Sequence, residues 1–323
     1  LSSYSNAFMF TQQIAPIYPV YAYDADGNRL YDENGNVIYD YGDGTYSSRM
    51  AGFSNQNVAA NSDLDVHQTL NDNFSGRGTI NLNLFEGFKL TANIGYDLMN
   101  QVRTDHMNQL YGDAANVNGR TYKYNIRIQT FTANQIASYA KSIGKHSFDI
   151  MAGHESYSYI QNYQYTHKYN FYTLGNPEFN NAITMSDMNS YKQEHSMESY
   201  FGRINYDYED RFYLSASIRT DESSKFHPDN RRGTFWSVGG SWRMTQEEWL
   251  KDVSWLNDLK IKASYGTQGN DGILDQYGYV VYQPYLKQYT VSNNNGAFSV
   301  VESYRGNKDL TWEKSKNLNI GIE

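Results

Sequence analysis

The sequence predicts an all-β fold, namely a segment of an antiparallel transmembrane β-barrel. Three observations support this fold class. Apolar and polar residues alternate along many segments, short connections between those segments alternate with long ones, and 31 of the 323 residues are tyrosine. Because side chains alternate across a strand, each segment has one apolar and one polar face. Tyrosine, with an apolar ring and a polar tip, suits a boundary between lipid and water.

Composition excludes several classes of function. The chain has no cysteine, so a disulfide scaffold and Cys-ligated zinc or iron–sulfur sites are excluded. The net charge of -8 comes without any Lys/Arg-rich run, which argues against a nucleic-acid partner. No window approaches the ~20 apolar residues of a membrane helix, and strand-built membrane proteins need none. Residues 1–8 lack the features of a signal peptide, and we expect the chain to begin inside a longer protein.

Nine strands are predicted from the period-two alternation, and the clearest are 211–221 and 234–243. Leu214, Ile218 and Ile261 occupy apolar positions and are predicted to face lipid, whereas a soluble domain would bury both faces of each strand. In chain order, the predicted strands are 80–85, 88–98, 122–140, 146–156, 199–208, 211–221, 234–243, 259–267 and 316–323.

The connections between these strands alternate strictly in length. Three strand pairs join through short turns at 86–87, 142–145 and 209–210. A fourth pair joins through 245–250, where Thr245 and Glu248 fit a capping box for a short helix. The long segments between the pairs are 99–121, 157–198, 222–233 and 268–315. Strict alternation places short turns on the periplasmic side and long extracellular loops on the other.

The boundaries of the chain give further expectations. Residues 1–75 form a polar segment rich in turns and loops, and 76–323 form about nine barrel strands. The number of predicted strands is odd, and the sequence stops within an alternating strand. A barrel in lipid must close, because an open sheet edge would leave backbone groups without hydrogen-bond partners. We therefore expect a fragment of a barrel domain from which the closing strands are absent.

Candidate chemistry is sparse. Asp24, Asp26, Asn28 and Asp32 offer oxygen ligands for calcium, but the glycine spacing does not fit an EF-hand, and solvated hairpin turns are favoured. The histidines, which include His146, His154, His167 and His195, lack metal-ligand spacing and are interpreted as surface or lumen residues. Residues 266–269 match no phosphate-binding loop. No catalytic, cofactor-binding or metal-binding residue is assigned, and the substrate-binding residues are unknown.

Tyrosines concentrate in the predicted loop 157–198. These side chains would stack on sugar rings or peptide side chains, or equally would pack the loops or meet a partner protein. They are Tyr157, Tyr159, Tyr163, Tyr165, Tyr169 and Tyr172.

Four blocks of sequence resemble one family, the SusC/RagA-type TonB-dependent (TonB-linked) outer-membrane transporters of Bacteroidetes. Glu222 stands where the family usually has Gly, and Trp236 replaces Pro. The blocks, in order, are 16–21 (Pro-Ile-Tyr-Pro-Val-Tyr), 221–226 with 230–243 (Asp-Glu-Ser-Ser-Lys-Phe, then Asn-Arg-Arg-Gly-Thr-Phe-Trp-Ser-Val-Gly-Gly-Ser-Trp-Arg), 259–272 (Leu-Lys-Ile-Lys-Ala-Ser-Tyr-Gly-Thr-Gln-Gly-Asn-Asp-Gly) and 307–314 (Asn-Lys-Asp-Leu-Thr-Trp-Glu-Lys).

The resemblance implies a barrel of about 22 strands around a plug domain, located in the outer membrane. It implies import of nutrient oligomers, either glycans or peptides, energised by the TonB complex and assisted by a SusD-like surface lipoprotein. It implies no enzyme activity and no cofactor. The plug and the TonB-contacting region are expected upstream of this chain.

Two alternatives remain open from the sequence. A soluble carbohydrate-binding or glycoside-hydrolysing β-domain would also use many tyrosines and an acidic charge. An adhesin or autotransporter barrel would have no plug and a smaller closed barrel.

Overall fold

The computed structural model describes residues 8, 12, 14–49, 57–250 and 253–323. The part of the chain so described contains one α-helix with assigned bounds, α1 (Val58–Leu64), and three 3₁₀ turns at Gly112–Val117, Phe179–Asn181 and Met244–Gln246. Its strands are β1 (Val66–Phe85), β2 (Phe88–Met107), β3 (Arg120–Ile143), β4 (His146–Phe171), β5 (Ala182–Tyr208), β6 (Phe212–Ser223), β7 (Arg232–Arg243), β8 (Lys260–Asn270), β9 (Gln288–Asn294), β10 (Ala297–Tyr304) and β11 (Glu313–Ile322).

Nine of these strands form one sheet in the order β1-β2-β3-β4-β5-β6-β7-β8-β11. The recorded pairings β5–β6, β6–β7, β7–β8 and β8–β11 are antiparallel. β9 and β10 form a separate antiparallel hairpin inside the connection from β8 to β11. The prediction of an antiparallel all-β fold is confirmed.

The tight turns have the backbone geometry that hairpins require. Gly87, between β1 and β2, has a φ of 80°, and a Cβ there would overlap the carbonyl oxygen of Ala140. Glu209 and Asp210, between β5 and β6, adopt φ of 56° and 53°. Positive φ at two adjacent residues gives a turn that matches the twist of the flanking strands.

The strands are much longer than predicted. β2 runs to Met107 and β3 begins at Arg120, while β4 runs to Phe171 and β5 begins at Ala182. The predicted loop 157–198 is therefore largely strand, and the predicted loop 99–121 is strand at 99–107 and 120–121. β1 begins at Val66, ten residues before the predicted start of the strand region at 76.

The connection between β7 and β8 also differs from its prediction. Instead of a capped helix there is a single 3₁₀ turn at Met244–Gln246. The Thr245 hydroxyl donates to Asp258 Oδ1 at 2.9 Å, so it does not cap a helix.

The chain divides into two compact units, each with its own core. The first comprises 1–73, 99–127 and 162–192, and the second comprises 74–98, 128–161 and 193–323. The core of the first unit consists of Tyr39, Tyr41 and Ala60 of α1, and Leu64 and Tyr111 pack against it. Burial, together with the hydrogen bond to Asp63, raises the pKa of Tyr39 to about 12.

The second unit buries a cluster of three aromatic residues, Phe226, Phe235 and Trp312. Within the described residues no helix has the length and apolar character needed to cross a membrane.

Candidate functional site

One face of strands β5–β8 and β11 is apolar and exposed. The strand register places the alternating apolar positions of each strand opposite those of its neighbours. Leu214, Ile218 and Ile261 belong to this face and are 57%, 55% and 38% exposed, as expected for contact with lipid. The face comprises Tyr200, Gly202, Ile204, Tyr206, Tyr208, Phe212, Leu214, Ala216, Ile218, Trp236, Val238, Gly240, Trp242, Ile261, Ala263, Tyr265, Leu318, Ile320 and Ile322.

Aromatic side chains border the apolar face at both ends. Phe212 stacks on Trp242 with ring centroids 6.1 Å apart near the short turns. Trp236 meets Tyr265 edge-on at 5.7 Å toward the long connections. Two aromatic rows around an apolar band are typical of barrels that cross a membrane. Trp236, which departs from the family pattern, lies in one of these rows.

The opposite face of the same strands is polar. Ser217 and Ser237 hydrogen-bond across β6 and β7 at 2.7 Å, and Asn205 donates to Asp149 at 3.2 Å. A cavity of about 1180 Å³ lies along this face, and its lining includes Lys262 and Ser264. Polar side chains on the inner face, alternating with apolar ones outside, are what a water-filled lumen requires.

A buried polar cluster centred on Asp271 lies where β8 leaves the sheet. Asp271 Oδ2 accepts a hydrogen bond from Ser223 at 2.8 Å and lies 3.2 Å from His195 Nε2. Lys225 Nζ, on a residue only 7% exposed, lies 3.3 Å from Asp271 Oδ1. Burial alone would raise the pKa of Asp271, but the hydrogen bonds from His195 and Ser223 and the Lys225 charge lower it well below its ordinary value.

Three of the four sequence blocks meet around this cluster. Trp312 Nε1 donates to the Arg231 carbonyl at 2.7 Å, and Asn270 donates to Glu313 at 3.0 Å. Gly233 allows the approach, because a Cβ there would lie 2.6–2.8 Å from the Phe235 and Trp312 rings. The blocks are therefore interlocking parts that hold the long connections against the end of the sheet.

The fourth block, 16–21, is held within the first unit. Arg49 donates to the Pro19 carbonyl at 2.9 Å, and Asn57 Nδ2 donates to the Val20 carbonyl at 2.7 Å. The side-chain oxygen of Asn57, Oδ1, also accepts from Ala60 N and caps α1. The block thus has a structural role here as well.

The carboxylates of the acidic turns at Asp24 and Asp32 accept hydrogen bonds from the backbone of their own turns. Asp24 Oδ1 accepts from the backbone N–H of Asp26 and Asn28 at 3.0 and 2.8 Å, and Asp32 repeats the arrangement eight residues later. Hydrogen bonds from Asn28 hold the pKa of Asp24 below its ordinary value. Asp275 forms a third turn of this kind. The geometry is that of solvated turns.

The histidines do not gather into a metal site. His154 contacts Glu198, and His146 Nδ1 lies 2.8 Å from the Tyr206 hydroxyl. His195 is 9% exposed and lies in the Asp271 cluster, so it is not a surface residue. Throughout the residues that the structure describes, no three His, Cys, Asp or Glu side chains lie close enough to hold a metal ion.

Five of the six singled-out tyrosines lie on β4 rather than in a loop, and Tyr172 alone of these follows the strand. Their rings continue onto neighbouring strands. Tyr124 on β3 lies 5.0 Å from Tyr165, and Tyr163 stacks on Tyr191 of β5 at 4.6 Å. The prediction that these five tyrosines lie in a loop was wrong, because β4 extends through all five positions.

The family model described as "TonB dependent receptor-like, beta-barrel" matches residues 11–323. The chain belongs to this family. Its barrels are outer-membrane receptors and transporters rather than enzymes, so the chain is part of an outer-membrane protein. The predicted family and membrane location are confirmed.

Two curated relatives and one solved structure extend this assignment. TonB-dependent receptor SusC of Bacteroides thetaiotaomicron is 29% identical over 286 residues, covering 84% of this chain and 27% of that protein. TonB-dependent receptor P3 of Formosa agariphila is 27% identical over 286 residues, covering 87% of this chain and 28% of that protein. The structure of the RagAB peptide transporter has the same fold, with a TM-score of 0.77 at 24% identity over 90% of this chain and 31% of that one. This TonB-dependent receptor segment spans less than a third of the length of these relatives.

Sequence reasoning missed the Asp271 cluster. Ser223, Lys225 and Asp271 each lie inside one of the four family-like sequence blocks, and this was the feature of the sequence that pointed to them. Their contact with His195 had no such signal, because His195 and Asp271 are 76 positions apart along the chain.

Proposed function

We propose that the protein containing this segment imports nutrient oligomers, glycans or peptides, across the outer membrane. Import is energised by TonB, and a SusD-like surface lipoprotein covers the extracellular opening. The segment supplies part of the barrel wall. In this proposal a polar N-terminal segment precedes the barrel strands, which begin with β1 at Val66, and the plug domain belongs to another part of the protein.

One observation carries the proposal. The sheet has an exposed apolar face bordered by aromatic rows and a polar face along a large cavity. A wall of this kind separates lipid from an aqueous passage, and large outer-membrane barrels use it to surround a plugged lumen. The homology to SusC and the fold shared with the RagAB peptide transporter support a transporter of oligomers.

The proposal is tested by deleting the whole gene in the source bacterium and measuring uptake of labelled neutral oligosaccharides and of labelled oligopeptides. We expect the deletion to abolish uptake of one class of oligomer, and we expect inactivation of TonB to abolish the same uptake. Complementation with the intact gene is the control. Unchanged uptake of every oligomer in the deletion strain would contradict the proposal.

A further inference from the structure

The connection between β7 and β8 is much longer than the other links at its end of the sheet. It runs from Met244 to Leu259, whereas β5 and β6 join through 209–211. The Arg243 backbone N–H donates to the Arg211 carbonyl at 2.8 Å, so these two connections lie at the same edge. Because outer-membrane barrels keep their short turns on the periplasmic side, this connection belongs to the periplasmic surface.

Two tryptophan side chains of this connection are exposed. Trp249 is 62% exposed and Trp255 is 81% exposed. Within the described part of the chain neither indole hydrogen-bonds or packs on another ring, whereas Trp236, Trp242 and Trp312 each pack against a neighbouring ring. Two indoles this exposed on one connection indicate an apolar partner that the described residues do not supply.

The two tryptophans occupy equivalent positions in two turns of the backbone. Leu250 N–H donates to the Glu247 carbonyl at 2.9 Å, and Leu256 N–H donates to the Val253 carbonyl at 3.1 Å. The first and fourth residues of each turn are buried or half-buried, and the second and third, which include the tryptophan, are exposed. A third hydrogen bond, from Val253 N–H to the Leu250 carbonyl, joins the two turns. With three residues per turn, equivalent positions face the same direction.

The first part of the connection is fixed to the apolar side of the sheet. Glu247, only 8% exposed, accepts a hydrogen bond from Trp242 Nε1 at 2.7 Å and pairs with Arg211. Trp242 stacks on Phe212 in the aromatic row that borders the apolar face. Trp249 follows two residues after Glu247. The exposed indoles therefore continue the lipid-contacting surface beyond the ends of the strands.

The last part of the connection is fixed to the polar side. Arg243 follows Trp242 along β7 and so faces the opposite way. Its Nε donates to Asp258 Oδ1 at 2.9 Å, and the Thr245 hydroxyl donates to the same oxygen at 2.9 Å. Because its two ends are held on opposite faces of the sheet, the connection lies across the edge of the wall instead of extending into the periplasm.

The chemistry of the indole ring suits the headgroup layer of a membrane. The ring is apolar and its N–H is a hydrogen-bond donor, so one side chain can contact acyl chains and lipid oxygens together. Tryptophan is for this reason enriched where a membrane meets water. Since the two rings lie beside the apolar face, a lipid surface reaches them without any further protein.

We propose that Trp249 and Trp255 anchor the β7–β8 connection in the headgroup layer of the periplasmic leaflet. The partner of this surface is membrane lipid. Interfacial tryptophans set the depth and tilt of a membrane-spanning element, so this anchor holds the short-turn ends of β7 and β8 at a fixed depth. The inference does not depend on which substrate the protein imports.

The test is tryptophan fluorescence of the full-length protein in phospholipid nanodiscs. The emission lost in Trp249→Phe or in Trp255→Phe, relative to the unmodified protein, isolates the signal of that ring. One quencher is phosphatidylcholine brominated on acyl carbons near the headgroup, and the other is iodide in the aqueous phase. We expect the signal of each ring to lose most of its intensity in brominated lipid and to keep most of it with iodide.

Trp236→Phe and Trp312→Phe are the matched controls. Trp236 lies on the apolar face and should respond to brominated lipid, whereas Trp312 is 7% exposed within an aromatic cluster and should respond to neither quencher. Thermal unfolding midpoints verify folding, and a Tyr variant at the same position serves where a Phe variant unfolds.

Two results would overturn the inference. A signal at either position that iodide quenches and brominated lipid does not would show that the ring lies in water. A signal that neither quencher reaches would show that protein covers the ring.

Discussion

Single glycines decide how closely the family blocks pack. A Cβ at Gly269 would overlap the ring of Phe235, and a Cβ at Gly233 would meet both Phe235 and Trp312. Both glycines have ordinary strand backbone angles, so close approach rather than conformational freedom requires them.

We expect Gly269→Ala to destabilise the purified protein by about 1–3 kcal/mol, because the Phe235 ring must move within a packed cluster. Gly202→Ala is the control, since the nearest neighbour of its Cβ would be Met151 O at 3.5 Å, an ordinary contact distance. Urea unfolding in detergent measures both variants. Equal midpoints for the two would contradict the packing described here.

The Asp271 carboxylate is expected to hold its cluster together down to acidic pH. Its folded pKa lies below the ordinary value of 3.8, so its stabilising effect is fully present above about pH 4 and is lost as pH falls through the folded pKa. Asp271→Asn should lower the free energy of unfolding at pH 7 by about 3 kcal/mol or more, because the buried Lys225 loses its charged partner.

That variant should also lose part of the acid dependence of stability below pH 4. The measurement is thermal unfolding of the unmodified protein and of the Asp271→Asn variant between pH 3 and 7. Glu222→Gln, which removes the more exposed ion pair with Arg232, is the control. Equal stability at pH 7 would show that Asp271 does not anchor the cluster.

At the scale of elements, β6 should tolerate charge on one face only. Leu214 lies on the apolar face and its neighbour Ser215 on the polar face. Leu214→Lys should lower the free energy of unfolding by about 2–4 kcal/mol near the membrane midplane, whereas Ser215→Lys should lower it much less. Unfolding from lipid vesicles measures the difference. Similar costs for the two variants would mean that the strand does not separate lipid from water.

The extent of the strands shows what the sequence could predict. All nine sheet strands were located, because contact with lipid imposes an apolar face that is visible as alternation. The beginning of β1 and the ends of β2–β5 were missed, since residues such as 157–171 alternate tyrosine with polar side chains and show no apolar face. Where neither face meets lipid, the pattern that identifies a strand disappears.

The contacts between distant parts of the chain were less predictable than the strands. Asp271 meets His195, and Trp312 meets Arg231, across long stretches of chain. Alternation and turn signals act over a few residues, so they cannot identify such partners. The blocks were recognisable in sequence, but only the structure shows that three of them pack together.

At the scale of the whole molecule, the two faces of the sheet account for the outer-membrane location and fit the proposed import. An apolar outer face places it in the outer membrane, and a polar inner face leaves room for a hydrated passage. In the proposed importer, further strands pair with the outer edges of β1 and β11, because unpaired backbone groups in lipid are costly.

The most direct test of this account is spin-label accessibility along β6 in the native outer membrane. The segment has no cysteine, so single cysteines at 212–218 can each carry a nitroxide label. Collision with oxygen, which concentrates in lipid, should be high at Phe212, Leu214, Ala216 and Ile218 and low at Tyr213, Ser215 and Ser217. Accessibility without this period of two, or water exposure at every position, would contradict a membrane-spanning wall.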